Sequence, residues 1–347
     1  MNNQIKKTKR WYQDTFDDII DVRSPSEFNE DHIVGSINFP VLYDHEREEV
    51  GKTYKNVNPF QARIIGSSLT AFNIANHIKK NLLLQKGSWK PLIYCWRGGQ
   101  RSKSIGIVFS EIGWRVTLLS GGYKKYRTDV INQIDNLSKK LKLILISGKT
   151  GTAKTKILQK IKFKKGQILD LENLANHKGS LLGKNINEEQ PTQKYFESLI
   201  LSNLRSFNLR QTIFVEAESS KIGNIHIPDA LWKKMLKSKK VHIEAPIDMR
   251  IKFLLNDYNY MCLDEKLFDP LIIGLKKRLN EDIIKGWKKL IEKKEWKKLT
   301  KSLLEVHYDP AYNKNFKTKN QQIIKVISLN KIDNTDIDNA ADIIINI

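Results

Sequence analysis

The 347-residue chain contains only two cysteines, Cys95 and Cys262. So few cysteines exclude a disulfide-stabilised scaffold, and no cysteine–histidine cluster has the spacing of a structural zinc site. No apolar run approaches the roughly 18 residues of a membrane-spanning helix, and no apolar signal segment follows the basic amino end. The sequence therefore predicts a cytoplasmic protein with no structural metal and no membrane partner.

Acidic residues are scarce relative to basic ones. Lys and Arg number 60 against 38 Asp and Glu, which gives a net charge of +22. Such an excess favours a polyanionic partner, although a lysine-rich proteome would produce the same count. Between residues 276 and 301, eleven basic residues accompany four acidic ones on predicted helices. This segment could lie along a nucleic-acid backbone, or it could be a solvated lysine face.

Apolar runs divide the chain into two α/β units, because short strand-like segments alternate with helical patterns in each. An amphipathic helix predicted over 123–142 lies between them. We therefore predict one domain over 1–130 and a second over 131–347, mostly helical beyond residue 250. The spacing of Ser24, Pro25 and Glu27 predicts a helix that begins with a capping box. Further strands are predicted at 19–22, 92–95, 116–119, 143–146, 212–216 and 240–245.

The segment C-W-R-G-G-Q-R-S begins at Cys95, between a predicted strand and a predicted helix. A loop in this position directs backbone N–H groups and a positive helix end at one spot, which stabilises a thiolate, the nucleophilic form of cysteine. Gly98 and Gly99 let the loop curl, and Arg97 and Arg101 are candidates for holding an anionic substrate. Since reactive cysteines occupy partly open electropositive sites, we predict a catalytic Cys95 rather than a buried structural one.

The segment S-G-K-T-G-T-A-K-T-K follows the predicted strand L-I-L-I and resembles the phosphate-loop pattern G-x-x-x-x-G-K-[ST], with Ala153 at the last glycine position. In such loops the backbone amides and the helix start cradle phosphates, Lys154 would supply charge, and Thr155 could ligate Mg²⁺. The alanine methyl group makes tight nucleotide binding doubtful. The predicted phosphate-binding residues are Gly148, Lys149, Thr150, Gly151, Thr152, Ala153, Lys154 and Thr155.

Three further residues are candidates for completing this site. A nucleotide-hydrolysing site needs an acidic residue that ends a neighbouring strand and manages Mg²⁺. Glu216 and Glu218 lie at the end of the predicted strand over 212–216, although paired glutamates are as often a solvated strand end. His177 could assist proton transfer or bind phosphate, and it could equally be a hydrogen-bonded structural histidine.

Three segments resemble rhodanese domains: D-V-R-S-P-S-E-F from Asp21, D-H-I-V-G-S-I-N-F-P from Asp31, and the loop at Cys95. The resemblance implies a parallel-sheet domain in which Cys95 carries sulfur or selenium. The loop is one residue longer than the commonest rhodanese form, C-R-x-G-x-R-S. The five residues between Cys95 and Arg101 also match the C-x5-R spacing of cysteine phosphatases and arsenate reductases. The loop alone therefore does not choose the anion.

The order of the two loops and the segments around them resemble the tRNA 2-selenouridine synthase family, from about residue 15 to 315. That family's own loop, C-W-R-G-G-x-R-S, accounts for the extra residue. The other matching segments are V-G-K-T-Y-K-N at 50–56, D-L-E-N-L-A-N-H-K-G-S-L-L-G at 170–183, V-E-A-E-S-S-K-I-G-N-I-H-I-P at 215–228 and H-Y-D-P-A-Y at 307–312.

This resemblance implies a transferase that acts on tRNA and replaces the sulfur of a wobble 2-thiouridine by selenium. The implied co-substrates are selenophosphate and geranyl diphosphate, with S-geranyl-2-thiouridine as the intermediate and no tightly bound cofactor. Cys95 would carry or deliver selenium, and Arg97, Arg101 and the amides of Gly98 and Gly99 would hold selenophosphate or its product phosphate. The phosphate loop would hold geranyl diphosphate or, alternatively, selenophosphate or ATP. Two other interpretations stay open: a rhodanese–P-loop fusion acting as a small-molecule kinase or sulfurtransferase, and a non-enzymatic tRNA-binding or thiol-sensing protein.

Overall fold

The computed structural model describes residues 5–12, 15–177, 189–217, 219–259, 265–276, 279–318 and 321–347. Contacts divide the chain into two compact units. One comprises Met1–Gln133 with Glu197–Ser202, and the other comprises Ile134–Phe196 with Asn203–Ile347. The domain division near residue 130 stays a prediction.

The first unit contains a five-stranded parallel sheet in the order β1-β5-β4-β2-β3. Its central strand β4 is buried along its whole length, as expected for a parallel sheet covered on both faces. The strands are β1 (Lys6–Thr8), β2 (Asp18–Asp21), β3 (Ile37–Asn38), β4 (Pro91–Tyr94) and β5 (Thr117–Leu119). The helices are α1 (Pro25–Glu30), α2 (Asp44–Asn56), α3 (Pro59–His77), α4 (Gln100–Glu111) and α5 (Gly122–Lys140), which continues past the unit boundary.

Helix α1 begins as the sequence predicted. Ser24 is the N-cap, Pro25 occupies the first turn, and the Ser24 N–H donates to Oε2 of Glu27 at 3.1 Å. This capping box fixes a buried carboxylate at residue 27. Arg101, which follows the cysteine loop, bonds to the same carboxylate.

The second unit contains a five-stranded parallel sheet in the order β12-β11-β6-β8-β7. Strand β6 is central, so the phosphate loop that follows it lies at the carboxyl edge between two neighbouring strands, where α/β sheets place their ligands. The strands are β6 (Lys142–Gly148), β7 (Gln167–Leu169), β8 (Thr212–Glu216), β11 (Lys239–Glu244) and β12 (Ile323–Ser328), and β9 (Lys221–Ile222) and β10 (Ile225–His226) form a separate antiparallel pair.

Helices dominate the chain beyond residue 250, as predicted, but β12 is a strand within that region. Its run I-I-K-V-I-S is too short for periodicity to distinguish strand from helix. The three-residue strands β1 and β7 escaped prediction for the same reason. The helices from residue 150 onward are α6 (Lys154–Phe163), α7 (Leu171–Leu174), α8 (Gln193–Ser206), α9 (Asp229–Leu236), α10 (Ile247–Asp257), α11 (Asp269–Lys276), α12 (Glu281–Glu292), α13 (Trp296–Leu303), α14 (Asp309–Thr318) and α15 (Asn334–Ile345).

The tryptophans of α12 and α13 belong to a hydrophobic cluster, as their helical spacing predicted. Trp287 is 2% exposed and donates its indole N–H to Oγ of Ser302, and Trp296 stacks on Phe268. Their lysines therefore lie on the opposite, exposed face. Among the helices that the structure describes, none has the length and apolar character needed to cross a bilayer.

Candidate active sites

The loop that carries Cys95 runs from the end of β4 to the start of α4. The Gly99 N–H donates to Sγ of Cys95 at 3.2 Å, and Oγ of Ser102 lies 3.3 Å from the same sulfur. Gly99 is also the N-cap of α4, so the sulfur faces a backbone N–H at a positive helix end. The loop therefore has the geometry that the sequence predicted, with a backbone N–H and a helix start beside the sulfur.

The loop rests on the start of α5, and two glycines make this close approach possible. A side chain at Gly98 (φ +69°) would place its Cβ 2.7 Å from the Leu119 carbonyl oxygen, and one at Gly122 (φ +55°) would place it 2.2 Å from that of Cys95. The Tyr123 N–H donates to the same Cys95 carbonyl at 2.8 Å. Sequence reasoning missed Gly122 and Tyr123 as loop supports; the G-G-Y that opens a helix was the available signal.

The side chain of Tyr123 packs against a buried ion pair. Arg23 is fully buried, bonds to Asp21 at 2.6 Å, and stacks its guanidinium carbon 3.9 Å from the centroid of the Tyr123 ring. The Tyr123 hydroxyl donates to Asp31 at 2.9 Å. Burial beside that carboxylate raises the pKa of Tyr123 far above its usual value, so the phenol keeps its proton. Arg23 of the D-V-R segment therefore packs against Tyr123, the residue whose backbone N–H bonds to the Cys95 carbonyl.

The two arginines predicted to hold an anion have different surroundings. Nη1 of Arg101 lies 2.7 Å from Oε2 of Glu27. Burial alone would raise the pKa of Glu27, but the hydrogen bond and the charge of Arg101 outweigh it, and the pKa lies below its usual value. Arg97 is exposed, and no hydrogen bond or ion pair joins its side chain to the described part of the chain. Arg97 is therefore the arginine available to an incoming anion, whereas Arg101 ties α4 to α1.

The sulfur is less accessible than predicted, since Cys95 is only 3% exposed and contributes to the core of the first unit. The expectation of a partly open thiol is therefore wrong for this structure. The reason is the loop itself: Gly99, which is exposed, contacts the sulfur and closes over it. Access to the thiol depends on the conformation of residues 97–100. Cys262, predicted to be a small buried hydrophobe, lies outside the described residues.

The phosphate loop connects β6 to α6, as the sequence predicted. A Cβ at Gly148 would lie 2.6 Å from the Ile243 carbonyl oxygen, and Gly151 has φ +85°. Ala153 adopts the left-handed conformation that glycine favours, with φ 56° and ψ 26°, at a cost of about 1–2 kcal/mol. The residue is 5% exposed and belongs to the core cluster of the second unit, and burial of its methyl group offsets part of that cost.

Strand β8 brings Glu216 to the loop. Oγ1 of Thr155 donates to Oε2 of Glu216 at 3.0 Å, and Nζ of Lys154 lies 3.9 Å from Oε1. Glu216 is 3% exposed, so it is no solvated strand end. A hydroxyl and a carboxylate oxygen are the hard ligands that Mg²⁺ prefers, and this donor set fits that ion. Glu218 lies outside the described residues.

His177 lies beyond α7, where its N–H donates to the Glu172 carbonyl at 3.0 Å. Burial lowers the pKa of His177 below its usual value, so the imidazole is neutral at pH 7. Among the described residues that line the phosphate-loop cavity, Glu172 is present and His177 is not. The structure therefore brings Glu216, but not His177, to the loop.

A cavity of about 490 Å³ opens at the phosphate loop. Part of its lining is polar and includes the loop backbone, Lys154, Thr155, Glu216 and Asp257. Another part is apolar or aromatic and comes from α10, from the residue that follows it and from the segment H-Y-D-P-A-Y, none of which sequence reasoning placed at the site. This part, called the apolar wall below, consists of Phe253, Leu254, Tyr258, Tyr308, Ala311 and Tyr312.

Comparison with known proteins decides the family. Residues 141–337 match the family described as the tRNA 2-selenouridine synthase AAA domain, and residues 4–129 match the rhodanese-like domain family. The first match covers more than half of the chain. This chain belongs to the tRNA 2-selenouridine synthase family.

Full-length relatives agree with this assignment to the tRNA 2-selenouridine synthases. The protein of that name from Shewanella frigidimarina is 31% identical over 88% of this chain and 90% of its own length. The one from Psychromonas ingrahamii is 29% identical over 88% and 89% of the two chains. The Nitrosomonas europaea protein is 33% identical over 69% of this chain and 63% of its own. The predicted family, its enzyme class and the two-part α/β fold are therefore confirmed.

Proposed function

We propose that this enzyme replaces the 2-sulfur of a wobble 2-thiouridine in tRNA by selenium in two steps, with one step at each loop. The phosphate loop would hold geranyl diphosphate and alkylate the sulfur. The cysteine loop would then supply selenium, with selenophosphate as the source. The two-step order follows from leaving-group chemistry, because a thiocarbonyl sulfur departs poorly whereas an alkylated sulfur departs as a thiol.

In the first step the sulfur of 2-thiouridine attacks C1 of geranyl diphosphate. The C1–O bond breaks, diphosphate leaves with the bonding electron pair, and the base loses its N3 proton to solvent. Negative charge grows on the departing oxygen, where Lys154 and the loop amides would stabilise it. Mg²⁺, held by Thr155 and Glu216, would share that charge.

The observation that carries this proposal is the two-sided character of the cavity. One side offers the backbone turn, Lys154 and Thr155, which suit a diphosphate. The apolar wall offers Leu254, Tyr308 and other carbon-rich side chains within the same space of about 490 Å³. A prenyl chain would bury apolar surface there, at roughly 25 cal/mol per Å² removed from water. A donor with an anionic head and a hydrocarbon tail matches both sides.

In the second step the selenium of selenophosphate attacks C2 of the alkylated base, the C2–S bond breaks, and geranyl thiol leaves after taking up a proton. Water then adds its hydroxyl to phosphorus and its proton to N3 of the base, the Se–P bond breaks, and phosphate leaves 2-selenouridine. Cys95 would help deliver the selenophosphate to C2. The Gly99 N–H and Arg97 would hold selenophosphate or its phosphate product. Because Arg101 is engaged by Glu27 at 2.7 Å, its proposed contribution is to hold α4 and thereby orient the loop.

The test is mass spectrometry of wobble nucleosides from a 2-thiouridine-containing tRNA incubated with the protein. Geranyl diphosphate alone should give S-geranyl-2-thiouridine, and both donors together should give 2-selenouridine. Selenophosphate alone should leave the 2-thiouridine unchanged. Formation of selenouridine without geranyl diphosphate would contradict the two-step order, and stoichiometric ATP turnover without RNA would favour a kinase instead.

A further inference from the structure

An arginine outside the phosphate loop bonds both to the loop backbone and to a carboxylate on another helix. Arg250 of α10 donates from Nη1 and Nη2 to the Asp309 carboxylate at 2.9 and 2.6 Å, and from Nε to the Thr150 carbonyl at 2.8 Å. The Arg250 side chain is 3% exposed, and the Asp309 side chain is 15% exposed. One buried guanidinium thus joins α10, the first residue of α14 and the middle of the loop. Below, the Arg250–Asp309 pair with its bond to Thr150 is called the clasp.

The clasp also involves a cation of the loop itself. Nζ of Lys149 lies 3.4 Å from Asp309. Burial would raise the pKa of Asp309, but Arg250 and Lys149 outweigh it, so the pKa lies below its usual value and the carboxylate is ionised near neutrality. Asp309 therefore faces two cations close to the proposed diphosphate site, and its negative charge by itself opposes anion binding there.

The clasp fixes more than the loop. Gly151 packs against α10, where an added Cβ would lie 3.0 Å from Leu254 and 3.1 Å from the Arg250 carbonyl oxygen. On α14, the Tyr312 hydroxyl lies 3.4 Å from Nδ1 of His242. Leu254 and Tyr312 both line the apolar wall of the cavity. The same contacts that seat the loop therefore set the distance between the loop and this wall.

We infer that Arg250 and Asp309 are positioning residues that hold the phosphate loop and the apolar wall of its cavity in the geometry that binds the donor. This inference rests on the proposed function only in assigning a diphosphate group to the loop. The inference predicts that removal of the Asp309 charge weakens anion binding. This sign is unexpected, because the removal frees Lys149 from its ion pair and makes the net charge of the site more positive. A counter-ion role for Asp309 predicts the opposite sign.

The test measures binding of inorganic diphosphate to the full chain by calorimetry with Mg²⁺ present. Asp309→Asn keeps the side-chain shape but loses the charge that fastens Arg250, and we expect binding at least about 5-fold weaker than in the unchanged protein. Asp309→Glu keeps the charge and should recover part of that loss. The matched control is Asp248→Asn, which removes an exposed carboxylate from the first turn of the same helix, α10. It should leave diphosphate binding unchanged.

Equal or tighter diphosphate binding by Asp309→Asn would overturn the positioning role alone, since the loop would then not need the clasp. No binding by the unchanged chain would overturn the diphosphate assignment and this inference together. Should Asp309→Asn lower the unfolding temperature strongly, Arg250→Lys serves instead, because lysine cannot bond Asp309 twice and Thr150 together. In either variant the KM for geranyl diphosphate should rise, whereas selenium transfer to tRNA geranylated beforehand should keep its rate.

Discussion

At the residue scale, each loop contains a few polar contacts around its candidate functional side chains. At the cysteine loop, one backbone N–H and one hydroxyl lie within 3.3 Å of the Cys95 sulfur. At the phosphate loop, the hydroxyl of Thr155 and the amine of Lys154 both approach Glu216. In the proposed mechanism, these preformed polar contacts would lower the reorganisation that each step requires.

Cys95→Ala separates the two proposed steps. We expect selenium incorporation to fall to the level seen without protein, because the loop loses the thiol proposed to help deliver selenium to C2, while geranyl transfer is largely retained. Mass spectrometry of both nucleosides in one digest measures the two outcomes. Equal loss of both products would refute the division between the loops, provided that the variant unfolds at the normal temperature.

Lys154→Ala removes the phosphate-loop cation that lies at the start of α6. We expect geranyl transfer to fall about 10²–10³-fold, the usual effect of removing one group that stabilises a developing anion. The rate of S-geranyl-2-thiouridine formation is the measurement. Lys160→Ala is the matched control, because Lys160 lies on the same helix but pairs with Asp338 at 3.0 Å. Undiminished transfer in Lys154→Ala would show that the diphosphate binds elsewhere.

At the scale of elements, the phosphate-loop site combines segments that are far apart in the sequence. Strand β8 supplies the acidic residue, α10 supplies part of the apolar wall, and the segment from Tyr308 to Tyr312 supplies the rest. The H-Y-D-P-A-Y motif matched the family without an evident role. The structure gives it a place, since Asp309 binds Arg250 and the two tyrosines line the cavity.

The exposed face of α12 and α13 is the proposed contact for the tRNA backbone. Lys288, Lys289 and Lys297 are exposed, and the hydrophobic stripe of these helices is turned inward. Charge reversal of these three residues to Glu should weaken tRNA binding and reduce its salt dependence. Each lost phosphate contact should lower the slope of log K against log salt concentration by about 0.7–0.9.

The control for this face reverses three exposed lysines of the first unit, Lys79, Lys80 and Lys86, which changes the net charge by the same amount. Filter binding over a range of salt concentrations compares the two variants. Equal weakening by both would show that the overall charge of +22, and not the α12–α13 face, determines the affinity.

At the scale of the whole molecule, the two loops proposed to bind anions follow strands of two separate parallel sheets. If each loop performs one step on the same base, a chain that lacks one loop should be rescued by a chain that lacks the other. A mixture of Cys95→Ala and Lys154→Ala should therefore convert 2-thiouridine to 2-selenouridine, which neither variant does alone. A mixture that geranylates but never selenates would show that the intermediate does not pass between molecules.

The sequence by itself determined both loops, because their information is local. A strand, a run of glycines, a lysine and a hydroxyl residue in fixed order form a phosphate loop wherever the chain places them, and the same holds for Cys95 between β4 and α4. The helix start at Ser24 was equally readable. The rhodanese and synthase motifs were contiguous as well, so the family was evident before the fold.

Only the tertiary structure decided which distant groups meet these loops. Glu216 reaches Thr155 because β8 pairs in parallel with β6, and Arg101 meets Glu27 across 74 residues of chain. Arg250 and Asp309 meet beneath the phosphate loop in the same way. Such contacts arise from strand pairing and helix packing over long separations, which no local spacing encodes.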